Sequence, residues 1–294
     1  MKIVFSRKGL DSSFGNFASP ILPDNKLCWI PIPENNINKP NLLSYGDVAF
    51  MNNSIGNIMN DLSKGKFNNG THIHLDPDIY KCHRNRKDGW KGAFGQTGAA
   101  QSHLENNKVS KGDIFLFFAW FKKVEYDGFR YVYKRRSPDL HIINGWLQIS
   151  DIINLSSDTE IPDWLHEHPH IIGEKYAVND TIYIASEKLF LEGEETNLPG
   201  TGCFARACDE ITLTAEGRTR SVWKLPKWMY PSGGKKPLSY NENIDKWLLK
   251  QDCAELRVAS RGQEFILDTN YYPEATKWLY ELIANQCERK NVIV

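Results

Sequence analysis

Hydrophobic positions along this chain fall mostly in short runs bounded by glycine, proline, asparagine and aspartate. That pattern predicts strands and turns more often than helices. Ile3, Val4 and Phe5 read as a buried strand that empties into a polar loop. Residues 27–33 are extended, and Pro31 and Pro33 place them at a sheet edge. Residues 71–75 are extended and stop at Asp76-Pro77, a turn signal. Lys111-Gly-Asp113 launches the most apolar stretch, Ile114-Phe-Leu-Phe-Phe-Ala-Trp-Phe121, which predicts a central strand. Gly128 separates that stretch from residues 129–133, so the two are expected to pair as a hairpin. Further strands are predicted over 141–149, 181–185, 211–213 and 264–267. Helical spacing is found over 57–62, 243–250 and 274–287, with Pro273 where the last helix begins. Residues 151–163 and 232–237 are the best loop candidates, and neither marks a domain boundary. The expectation is a single α+β domain over 1–294. Its sheet is strand-rich, mixed or antiparallel, open or curled into a barrel, with a C-terminal helix.

Composition narrows the class. With 41% hydrophobic and 24% charged residues the chain is an ordinary globular one. Its 36 basic and 36 acidic side chains cancel, which excludes the global positive charge of a dedicated nucleic-acid coat. Any contact with a polyanion must therefore be local. The six cysteines form no Cys-x-x-Cys pair, so reduced thiols in a cytoplasm are expected rather than a disulfide scaffold or a zinc knuckle. A three-residue apolar run followed by Arg7 and Lys8 predicts neither a signal peptide nor a membrane span.

Against that background three constellations carry chemistry. In the opening loop Arg7 and Lys8 offer cationic donors, Ser6, Ser12 and Ser13 offer hydroxyls and Asp11 a carboxylate, while Gly9 and Gly15 allow close backbone approach. The loop suits a phosphate or a sugar, although a plain surface turn has the same composition. Its spacing matches neither a Walker loop nor Gly-x-Gly-x-x-Gly. In His72-Ile-His74-Leu-Asp76-Pro-Asp78 an extended backbone places His72, His74 and Asp76 on one face. Two imidazoles and a carboxylate there can bind zinc, manganese or iron, can move protons near neutral pH, or can form a hydrogen-bonded structural cluster. A second group, His166-Glu-His168-Pro-His170, either completes such a site or is an exposed loop. Basic residues interleave with aromatics around Arg84 and again around Arg135, as in grooves that hold nucleic acid, or as solvated faces. Between them lies a small polar stretch, 95–103, in which Gln96 and Gln101 can read a base edge.

Taken together, Phe5-Ser-Arg-Lys-Gly-Leu-Asp-Ser-Ser13, Ser19-Pro-Ile21, Ile30-Pro-Ile-Pro33, Tyr45-Gly-Asp47, the 72–78 segment, Lys111-Gly-Asp-Ile-Phe-Leu-Phe-Phe118 and the 164–170 segment resemble the nucleotide modification associated domain 3 family. The resemblance continues through Gly200-Thr-Gly202. It implies a role near nucleotides or DNA, beside bacterial and phage genes that modify DNA bases, and names no reaction. Two function classes follow. One is a group-transfer enzyme acting on a nucleotide or nucleic acid, with His72, His74, Asp76 and Asp78 catalytic. Its substrate-binding residues are then Ser6, Arg7, Lys8, Asp11, Ser12, Ser13, Asp47, Arg84, Gln96 and Arg135. The other is a non-catalytic reader that binds modified bases in a barrel of the PUA or ASCH kind. No cofactor follows from the sequence. A pocket uniting the opening loop with the His-Asp segment favours the enzyme, and a barrel mouth lined by aromatics favours the reader.

Overall fold

The most apolar run of the chain becomes the middle of its main sheet. The computed structural model describes residues 1–11, 16–34, 36, 39–50, 53–172, 176–260 and 262–293. Ten strands form this mixed sheet: β1 (Lys2–Arg7), β2 (Ser19–Ile21), β3 (Ala93–Gln96), β4 (Ile114–Tyr126), β5 (Tyr131–Tyr133), β6 (Leu140–Asn154), β7 (Thr181–Ala185), β8 (Thr201–Phe204), β9 (Glu264–Asp268) and β10 (Val292–Ile293). The main path runs β9-β1-β4-β6-β7-β3, with β2 and β5 also on β4 and β8 on β6. Strand β4 lies parallel to β1 and antiparallel to β6. Its alternate side chains enter different cores, Leu116 and Phe118 one and Phe115 and Phe117 another. Burial on both faces is why its first part, Ile114 to Phe121, is unbroken by charged residues.

Asp113 pins the start of this strand. Its Oδ1 accepts the Lys2 backbone N–H at 2.7 Å and its Oδ2 accepts Ser110 N–H at 2.9 Å. The Lys-Gly-Asp turn thereby sets β1 against β4, with Ile3 opposite Ile114 and Arg7 opposite Phe118. The polar loop after β1 is consequently delivered to one end of the sheet.

At that end the outer strands approach one another. Gln96, the last residue of β3, donates to Glu264 Oε1 of β9 at 2.5 Å, and Lys8 reaches the same oxygen at 3.2 Å. No strand pairing joins β3 to β9, so the sheet curls without closing into a barrel. Three helices occur among the described residues, α1 (Ile55–Ser63), α2 (Gly98–Asn106) and α3 (Glu274–Glu288). Helix α3 packs Leu279, Leu282 and Ile283 into the larger core. No helix among the described residues is long and apolar enough to cross a membrane.

Several expected elements differ. Residues 243–250 form no α-helix: a short 3-10 turn, Ile244–Lys246, leads into the strand Trp247–Leu249, which pairs with Cys253–Arg257. The decisive group is Trp247, whose buried indole donates to Asn241 O at 2.8 Å and pulls the segment into a hairpin. Ile211 ends another 3-10 turn, Asp209–Ile211, and Thr212 makes only an isolated bridge to Ile142. The 95–103 stretch splits into the end of β3 and the start of α2. The expected 151–163 loop is shorter, because β6 continues to Asn154 in register with β7.

Candidate functional site

The cleft at the converging end is built first from β1. Lys8 stays in line because its N–H donates to Phe118 O at 2.9 Å, and its own carbonyl accepts the Trp29 indole N–H at 3.2 Å. Gly9 then turns the chain at a φ of 97°, and a Cβ there would come within 2.5 Å of Trp29 Nε1. This turn places Arg7, Lys8 and Asp11 on the wall of a cleft of about 450 Å³, together with Gln96, Thr97 and Gln263. The Lys8 ammonium lies 4.4 Å from the Phe94 ring centre and is neutralised by fully buried Glu264. Ser6 Oγ, Arg7 Nε and Glu264 Oε2 are buried without hydrogen-bond partners, a concentration of unsatisfied polar atoms beside one cleft that calls for a functional reason.

The opposite wall comes from three distant segments. The strand Ile73–His74 pairs with Ile32–Pro33, and that register sets Glu34 beside His74. The Glu34 carboxylate accepts the His74 Nδ1–H at 3.2 Å, which assigns the proton to Nδ1 and leaves Nε2 as the lone-pair nitrogen. Burial lowers the His74 pKa, partly offset by Glu34 and Asp76, so the ring is neutral at neutral pH. Asp76 Oδ1 accepts the Gly95 N–H at 2.8 Å, while its Oδ2 stands 3.8 Å from His170 Nε2. Burial pushes the Asp76 carboxyl up. The His168 N–H aimed at it and the charge of His170, His168 and Lys8 outweigh that and hold it at about 2. His170 Nδ1 is tied to Asp180 Oδ1 at 2.5 Å. The His170 ring packs against β3 at Gly95 because that residue has no side chain; a Cβ there would overlap the ring and sit 2.7 Å from its Nε2. His74, Asp76 and His170 thus each present a ligand atom within 4.8 Å of the others.

Residues 2–268 match the family model described as nucleotide modification associated domain 3. The chain belongs to this family. No curated protein and no solved structure matches it. In this nucleotide modification associated domain 3 protein the sequence-derived candidates divide by position. Arg7, Lys8, Asp11, His74, Asp76 and Gln96 line the one cleft. Ser6 lies directly behind it, opposite Glu264 across the β1–β9 register. Ser12 and Ser13 fall outside the described residues.

The remaining candidates sit elsewhere. His72 bridges to Ser44, and its buried Nδ1 has no hydrogen-bond partner. Asp47 lies near it, held below the usual carboxylate range by two hydrogen bonds from Ser44, with His72 and Arg84 adding to the effect. Arg84 pairs with Glu167 at 2.8 Å. Asp78 is buried in a two-pronged ion pair with Arg86 at 2.6 and 2.7 Å, and the Arg86 guanidinium stacks 4.4 Å from the Trp90 ring centre. That carboxylate organises the basic segment and does not line the cleft. Arg135 lines a separate groove.

Glu34, Asp180 and Glu264 escaped the sequence reading as site residues, Thr97 lay within its small polar stretch 95–103, and His170 stood only in its second histidine group. The 166–170 segment is a series of turns rather than an extended strand. His166 therefore points to solvent while His168 and His170 are turned inward, a split that alternation does not foresee. Only the His-x-His-Pro-His spacing signalled this group.

Proposed function

We propose that this protein chemically modifies a nucleotide, as a base within DNA or as a free nucleotide, in the cleft between the β1 loop and His74, Asp76 and His170. The observation that carries this reading is the union of Arg7 and Lys8 with the imidazole–carboxylate cluster in one cleft, in a member of this family. Arg7 and Lys8 are suited to phosphate oxygens, and Gln96 and Thr97 to polar edges of a base or sugar. The reaction class is group transfer. A base or sugar heteroatom forms the new bond as it loses a proton to the cluster, and the leaving group of an activated donor departs with the electrons of the bond broken. A reader of modified bases is less well supported, since no Phe, Tyr or Trp lines this cleft among the described residues and the sheet does not close. We place the protein in the cytoplasm, where free thiols such as its six cysteines persist.

The test is the nucleoside composition of DNA and of the nucleotide pool in cells expressing the wild type or Asp76→Asn, read by mass spectrometry. A new nucleoside mass is expected with the wild type. It should fall by about 100-fold or more in the variant, compared at a temperature at which circular dichroism shows the variant folded. Identical nucleoside profiles in wild type, variant and empty cells would overturn the reading.

A further inference from the structure

We propose that His74 Nε2, Asp76 and His170 Nε2 hold a divalent first-row transition metal ion in the cleft, bound on one side and open on the other. The inference rests on the reading above only in taking the cleft as the reactive site. Two imidazoles and one carboxylate with positions left open form a ligand set that suits iron, manganese or zinc, whereas magnesium and calcium prefer oxygen throughout. The donors lie within 4.8 Å of one another. Metal–ligand bonds of about 2.1 Å require separations of roughly 3–4 Å, so a small inward movement completes the site.

The surroundings are those of a ligand set and not of a self-contained hydrogen-bond network. Both histidines have Nδ1 tied back to a carboxylate, His74 to Glu34 at 3.2 Å and His170 to Asp180 at 2.5 Å. Such backing fixes the tautomer, orients the ring and raises the basicity of Nε2. The 3.8 Å between His170 Nε2 and Asp76 Oδ2 is too long for a hydrogen bond. His168 is buried beside this set, with its Nε2 3.4 Å from Asp76 Oδ1. Because His168 Nδ1 accepts the His170 backbone N–H at 3.3 Å, its proton is on Nε2, where it steadies the carboxylate instead of ligating. Lys39 is paired with Glu34 at 3.1 Å. An ion here lowers the pKa of a coordinated water or substrate heteroatom, which is the proton loss that group transfer requires.

The experiment uses the full chain, stripped with a chelator, dialysed and titrated with Co(II), with stoichiometry measured by mass spectrometry and by the cobalt absorption. Wild type is expected to take one ion per chain. His170→Ala and His74→Ala should lose it, and His72→Ala should keep it. Asp180→Asn retains every ligand and should weaken binding about 10–100-fold. If His170→Ala fails to fold, Asp76→Asn decides, since its amide oxygen still accepts from Gly95. No uptake by wild type, or undiminished uptake by the ligand variants, overturns the site. Uptake of Co(II) without any altered nucleoside in cells defeats the nucleotide reading alone. Altered nucleosides from a chain that binds no metal defeat the metal alone.

Discussion

Single residues in this protein are governed by what buries them. His83 and His141 are both driven down to about 3, His83 by burial and then by Arg86, His141 by burial and then by Arg7 and Arg220. His74 is lowered in the same direction. In the unfolded chain these rings protonate near 6.5, so between that value and about 3 the unfolded state binds more protons than the folded one, and stability falls as pH falls. Each of the two deeply buried rings is expected to cost about 1.4 kcal/mol per pH unit below roughly 6. Asp76, held at about 2, adds a second loss between about pH 4 and 2, because its contribution is full above the unfolded pKa and vanishes through the folded one. Denaturant unfolding at pH 7.5, 6 and 5 checks the first window. A constant midpoint across those values would mean that the rings are charged in the folded state.

Elements take their positions from a few polar anchors. The Lys-Gly-Asp turn before β4 was legible as a turn, but its use was not: Asp113 carries the backbone of a strand more than a hundred positions away in the chain. Asp113→Ala leaves the N–H groups of Lys2 and Ser110 without that acceptor. It is expected to cost about 1–3 kcal/mol in denaturant unfolding. Because β1 carries Arg7 and Lys8 into the cleft, the variant should also weaken ligand binding there. The 243–250 segment teaches the converse. Its apolar spacing fits a helix, and eight residues are too few for local propensity to withstand one buried tryptophan with a partnered indole N–H.

At the scale of the whole molecule a net charge of zero conceals an uneven surface. A groove of about 940 Å³ is lined by Lys123, Lys134, Arg135, Arg136, Arg218 and Lys224, against Asp209 and Glu216. It meets β4 near Lys123, roughly 17 Å along the strand from the register of Arg7 at about 3.4 Å per residue. Arg135→Glu with Arg136→Glu is expected to weaken binding of an oligonucleotide and to flatten its salt dependence by about one released counterion for each phosphate that is no longer neutralised. Binding of a mononucleotide should be unaffected. An unaltered salt slope would remove the groove from the binding surface. What the sequence determined by itself was the local layer: the central strand, the C-terminal helix, the turn punctuation, the absence of global charge and the polar loop after β1. Side-chain periodicity and turn chemistry act over a few residues, so a chain read alone carries them. The His72–His74–Asp76 trio was also a local inference, and tertiary structure redistributed it, because Ser44 and Asp47 surround His72 while a turn brings His170 to Asp76 from far along the chain. Glu34, Asp180 and Gly95 joined the site for the same reason: their contacts depend on register and sheet curl, and those are settled only when the whole core packs.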